Sequence, residues 1–80
     1  MSEHTVTLMV RAGCHLCTEA AADVQRVCAE LGISWSAEDV DADPGLRAEY
    51  GDLVPVILVD GRMHGYWRVE PARLRAALTR

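Results

Sequence analysis

Cys14 and Cys17, in the run Arg-Ala-Gly-Cys-His-Leu-Cys-Thr from Arg11 to Thr18, are the residues of this chain best equipped for chemistry. Thiols at that spacing can close a disulfide, supply half of a metal site, or pack as small apolar side chains. Structural zinc takes four ligands, commonly as two Cys/His pairs, and here there is one pair. Cys28 lies roughly 16 Å from Cys17 if one helix at ~1.5 Å per residue joins them, so it cannot share a mononuclear site with the pair. It reads as a core thiol. His4 and His64 read as surface residues with no metal-like spacing, and no metal is expected.

The elements that must position the pair are legible from periodicity. Thr5 to Val10 alternates like a strand. From Cys14 to Leu31 the period becomes helical. Cys17, Ala21, Val24, Cys28 and Leu31 share one face, Glu19, Ala22, Asp23, Arg26 and Glu30 the other, and Gly32 is the C-cap. Ile33 to Val40 reads as a second strand, with Trp35 as a packing residue. Asp43 as N-cap and Pro44 at the first helical position open a short helix that Gly51 ends. Asp39 and Asp41 before it read as a solvated loop. Val54 to Val59 is a buried strand led by Pro55. Asp60-Gly61 signals a two-residue hairpin returning through Arg62 to Tyr66. Glu70-Pro71 opens a last helix whose apolar residues are Ala72, Leu74, Ala77 and Leu78. The order β-α-β-α-β-β-α predicts an α/β fold, a small mixed four-stranded sheet covered by helices.

In that frame the two thiols are unequal. Cys14 falls at the start of the first helix, where free backbone N–H groups and the helix dipole favour a negative charge, so its pKa should be lowered. Arg11 upstream and a protonated His15 would add to this. Cys17 sits one turn further in, on the core stripe. An exposed thiolate that attacks, with a shielded thiol that resolves the mixed disulfide, is the arrangement thiol–disulfide exchange requires.

The bulk properties narrow the class. The chain has 80 residues, 50% hydrophobic and 25% charged, which predicts one globular domain over residues 1–80. Net charge is −4, all eight basic residues are Arg, and no basic patch stands out, so nucleic acid is not an expected partner. Lys, Asn and Phe are absent, as in proteins from GC-rich genomes. The first ten residues carry Glu3 and only a short apolar run, so neither a signal peptide nor a membrane span is expected. A reducing cytoplasm is the expected compartment, where a Cys-x-x-Cys pair serves catalysis or metal binding rather than architecture. A monomer is expected by default.

The whole pattern resembles the thioredoxin fold, and within it the glutaredoxins: a strand, a helix opening on Cys-x-x-Cys, Val54-Pro55 before a buried strand, an Asp-Gly hairpin and Gly65. Short bacterial glutaredoxin-like proteins carry the same Gly-Cys-His-Leu-Cys run, here Gly13 to Cys17. The resemblance implies that Cys14 is the nucleophile and Cys17 the resolving cysteine, with His15 tuning the thiolate. It implies that Pro55 is held in cis beside them. The backbone of Val54 would then pair with an extended substrate, and Leu53, Gly65, Tyr66 and Trp67 would complete the groove. Leu53 stands where glutaredoxins usually have Thr. Tyr66 stands where they usually have a second Gly, and Glu70 is displaced from their acidic position. Arg47 or Arg68 is available to a substrate carboxylate. The implied activity is reduction of protein or low-molecular-weight mixed disulfides. It needs no tightly bound cofactor, only an electron-donating thiol (glutathione or another) or a protein reductase. The alternative is a non-catalytic redox-responsive binding module, or a metal or iron–sulfur carrier, on the same fold.

Overall fold

The computed structural model describes residues 4–79. Four strands, β1 (Val6–Val10), β2 (Trp35–Asp39), β3 (Val56–Val59) and β4 (Arg62–Tyr66), form one sheet in the order β2-β1-β3-β4. β1 runs parallel to β2 and antiparallel to β3, and β3 runs antiparallel to β4. The helices are α1 (His15–Leu31), α2 (Pro44–Tyr50) and α3 (Pro71–Leu78), with a 3₁₀ turn at Val40–Ala42 before α2. This is the order the sequence predicts.

The two faces of the sheet are covered unequally. On one side α1 and α3 close a core of Val6, Leu8, Ala20, Val24, Val27, Cys28, Ile57, Leu74 and Leu78. Arg75 on α3 chelates Glu30 on α1 at 2.9 and 3.3 Å above it. On the other side Met9, Val40, Val56 and Leu58 make a smaller cluster, flanked by Leu46, Tyr50, Leu53 and Val54. α2 buries no residue of its own.

Local chemistry sets the boundaries. Asp43 caps α2, its carboxylate accepting from Gly45 N at 2.7 Å, and Pro44 takes the first helical position. Asp60 and Gly61 both have positive φ, 55° and 83°, the conformation a tight two-residue hairpin needs. The Asp60 carboxylate accepts from Thr5 N at 2.8 Å and contacts His4 Nδ1 at 2.7 Å, so the hairpin turn is tied to the start of β1. His4 is therefore largely covered rather than a free surface residue, because Asp60 holds it.

The buried stripe of α1 differs in detail from the expected one. Cys17, Val24 and Cys28 are buried as predicted, but Ala20 and Val27 complete the stripe, while Ala21 and Leu31 lie on its flank. β3 begins at Val56, so Val54 and Pro55 precede the strand. β2 is shorter than predicted, and Ile33 packs against the core from outside it.

Candidate functional site

The loop from Arg11 to Cys14 leaves β1 and enters α1 through Gly13 at φ 75°, with Cys14 as the N-cap residue. Cys14 Sγ accepts a hydrogen bond from Cys17 N at 3.2 Å. A sulfur thus occupies the place a Ser or Asp oxygen usually takes at a helix start, where it meets one of the helix's unsatisfied donors. The first turn of α1 carries no acidic residue to oppose charge there. The two sulfurs are joined as a disulfide, with Cα atoms 5.2 Å apart, inside the span such a bridge takes. Cys14 is partly exposed and Cys17 only 5% exposed, so one sulfur faces outward and the other is shielded.

His15, between the cysteines, has a side chain 93% exposed, its Nε2 3.8 Å from Glu19. Leu16 beside it is also exposed. Arg11 is placed at the site but its guanidinium is already occupied. Nε and Nη2 donate to the two Asp41 oxygens at 3.1 and 2.9 Å, and Nη1 donates to Gly51 O at 3.2 Å. The Asp41 hydrogen bonds and charge, with Asp52 and Asp39 adding, raise the guanidinium's pKa. Arg11 therefore does not offer the thiolate an unpaired positive charge. It ties the cysteine loop to the 3₁₀ turn and to the end of α2. Asp41, read from sequence as a solvated loop residue, is the partner that sequence reasoning missed. Its only signal was the run of alternating carboxylates at Asp39, Asp41 and Asp43.

The Val54–Pro55 peptide bond is cis. The β1–β3 register ends with Met9 paired to Val56, so Pro55 lies one residue beyond the paired end of β3, on the side where β1 runs into the cysteine loop. Pro55 O accepts from Trp67 N at 2.8 Å, and Trp67 Nε1 reaches Asp52 O at 3.4 Å. Trp67, at φ 71°, stacks edge-on with Tyr66, ring centroids 5.1 Å apart, and both rings are about half exposed. Leu53 and Val54 are half buried against the smaller core. Gly65 and Tyr66 border a separate hollow with His64, Arg68, Glu70 and Arg73. The hollow that touches the disulfide is lined by Val10, Arg11, Thr18, Ala21 and Ala37 and by none of the six expected groove residues. The structure therefore gathers Cys14, Cys17, His15 and Arg11 in one place. It sets Pro55 across the loop, and it puts Gly65 and Tyr66 in a different depression.

Burial pushes the Cys28 thiol pKa up, and Cys28 is wholly inside the main core. Among the described residues no group of three or more His, Cys, Asp or Glu side chains is placed to hold a metal ion, and no helix is long and apolar enough to cross a membrane.

The mixed sheet, the helix opening on Cys14 and the cis proline define a thioredoxin-like fold. Fasciola hepatica thioredoxin superposes with a TM-score of 0.63 at 21% identity, over 96% of this chain and 79% of that one. The chain belongs to the family described as Glutaredoxin-like domain (DUF836), which matches residues 5–79. A structural-genomics target protein from X. campestris is 33% identical, with a TM-score of 0.76 over 92% of this chain and 95% of that one. An uncharacterized protein of Mycobacterium tuberculosis is 46% identical over 85 residues, covering 100% of this chain and 88% of that protein.

Proposed function

We propose that this protein is a cytoplasmic thiol–disulfide oxidoreductase of glutaredoxin-like type. Cys14 is the nucleophile and Cys17 the resolving thiol. The observation that carries this reading is the Cys17 N–H aimed at Cys14 Sγ at the head of α1, with Cys17 itself shielded. A helix N-terminus that donates to a sulfur stabilises its thiolate over its thiol.

In the reduced protein the Cys14 thiolate attacks one sulfur of a substrate disulfide. A Cys14–substrate bond forms, and the other substrate sulfur leaves with the electron pair and takes up a proton. Cys17 then loses its proton and attacks Cys14 Sγ, which re-forms the internal disulfide and frees the second substrate thiol. The substrate is a protein disulfide or a low-molecular-weight mixed disulfide. Two electrons return from a small thiol or a protein reductase. Pro55 and the Val54 backbone shape the approach on the β3 side, with Leu53 and Trp67 beside them, and His15 tunes the pair from the rim.

The test is the pH dependence of Cys14 alkylation in the reduced Cys28→Ala variant, combined with turnover of the Cys14→Ser and Cys17→Ser variants. An apparent pKa well below the free-thiol value of ~8.5, loss of turnover in Cys14→Ser, and a trapped mixed disulfide in Cys17→Ser are the expected results. Undiminished turnover in Cys14→Ser would overturn the mechanism.

A further inference from the structure

Asp41 stands on a turn that is fixed on both sides. Asp39 caps the 3₁₀ turn, its carboxylate accepting from Asp41 N at 2.9 Å, and Val40 between them is fully buried in the smaller core. The Asp41 carboxylate meets Arg11 with two oxygens against two guanidinium nitrogens, a fork-to-fork pair. Arg11 also has an anchor that does not depend on Asp41, the bond from Nη1 to Gly51 O. It lines the same open hollow as Cys14 and Cys17, and its carbonyl accepts from Cys14 N at 3.3 Å. The β2 wall of that hollow is Ala37, set opposite Leu8 by the parallel register, so only a methyl group stands there.

An unpaired guanidinium beside a cysteine at a helix start would add to the pull of the helix terminus on the thiolate. Asp41 sets one negative charge 2.9 Å from it, so the two side chains together carry no net charge. Seen from the sulfur the pair is a dipole rather than a cation, and its field is correspondingly weaker. The other titratable groups around Cys14 are Cys17, its own partner, and His15 on the rim with Glu19 3.8 Å away. Asp39 and Asp52 lie within electrostatic reach of Arg11. A thiolate that is less stabilised is a stronger nucleophile and a poorer leaving group, and its dithiol is a better reductant.

We infer that Asp41 is a positioning residue of the exchange reaction: by holding the Arg11 guanidinium it withholds a positive charge from Cys14, and so biases the pair toward giving electrons to a substrate disulfide rather than taking them from a dithiol. The inference rests on the exchange chemistry proposed above and adds no step to it. The same bonds form and break. Cys14 and Cys17 are oxidised to their disulfide while the substrate disulfide is reduced to two thiols, and Asp41 shifts only the balance between the two sides.

The experiment compares the wild type with Asp41→Asn, Arg11→Met and the double variant. Each protein is reduced and treated with iodoacetamide across a pH series, and labelling of Cys14 is read by mass spectrometry. Cys28 is buried, so it stays unlabelled in a folded variant. Asp41→Asn keeps an oxygen for Arg11 but removes the charge, so the apparent pKa of Cys14 should fall by about half a unit at low ionic strength. Arg11→Met leaves the Asp41 charge unpaired and should raise it by a similar amount. The double variant should return to the wild-type value, because both charges are gone. The differences should shrink in about 0.5 M salt. His15 and Glu19 are common to all four proteins and drop out of the comparison. In a buffer of reduced and oxidised dithiothreitol at about pH 8, Asp41→Asn should lie about twofold to threefold further toward the dithiol than the wild type. Loosening of the loop alone would move both single variants the same way and leave the double variant furthest from the wild type. That pattern overturns the inference, as does a folded Asp41→Asn whose Cys14 titrates with the wild type. If Asp41→Asn does not fold, the direction of the Arg11→Met shift decides, and no rise overturns the inference. A wild-type disulfide that exchanges with no thiol would instead sink the exchange reading itself.

Discussion

Two side chains outside the hollow at the disulfide register pH through their surroundings. The Asp60 carboxyl is held below its ordinary pKa of 3.8, first by the hydrogen bond from Thr5 N and then by His4. A carboxylate with a depressed folded-state pKa stabilises the fold above its unfolded value, and that contribution is lost as pH falls through the folded one. Asp60→Ala should therefore lower the thermal midpoint at neutral pH, and the gap to the wild type should narrow in strong acid without closing, because Ala at φ 55° is strained at any pH. Asp60→Asn should lose less, since Asn tolerates φ 55° and can still accept from Thr5 N. His64 behaves in the opposite sense. Burial first, then Arg73, push its pKa below the ordinary 6.5, with Glu70 opposing. The folded state takes up this proton less readily than the unfolded chain, so stability falls as pH drops through 6.5. Denaturant titrations from pH 7.5 to pH 5 should show that decline, and His64→Gln should flatten it. At this scale the cysteine pair was readable because its chemistry depends on spacing and on position at a helix start. The occupation of Arg11 was not, because Asp41 reaches it only after β1 and β2 have been laid side by side.

The elements themselves were legible wherever one local rule decided them. Asp43-Pro44 opens α2, Asp60-Gly61 turns the hairpin and Gly32 ends α1, each by conformational preference alone. The centre of the α1 stripe was harder to place. Ala20, Ala21, Val24, Val27 and Cys28 line both sides of it, and small apolar residues on adjacent tracks do not reveal which track meets the sheet. The hollow beside the disulfide was not legible at all. It depends on which residue of β2 comes opposite Leu8, and a register is set by pairing rather than by pattern. Two substitutions probe the elements. Leu74 is fully buried and anchors α3 to the core, so Leu74→Ala should cost about 3 kcal/mol in denaturant unfolding. At Gly51 an added Cβ would lie 2.5 Å from Arg47 O. Gly51→Ala should cost about 1–3 kcal/mol and displace the carbonyl that Arg11 holds.

In the molecule as a whole, Arg11 ties the cysteine loop to a stretch distant in sequence, the 3₁₀ turn at Asp41 and the end of α2 at Gly51 that follows it. Arg11→Lys keeps the charge but loses the paired donors, so it should lower the thermal midpoint almost as far as Arg11→Met does. A full rescue by lysine would show that charge alone matters there. The unequal covering of the sheet carries the larger consequence. Among the described residues the side under α1 and α3 has nine buried members, and the side under α2 has four. Regions with few buried contacts open at lower free energy than the global transition. Amides of Leu46 to Tyr50 should therefore exchange about a hundredfold faster than those of Val24 to Cys28. Equal protection would mean a single cooperative unit. Leu53 and Val54 pack on the thin layer, whereas Cys17 belongs to α1, the helix that closes the thick one. The disulfide then rides on the slow-exchanging half of the protein and the proline loop on the fast one. The two flanks of the cysteine loop would keep different clocks.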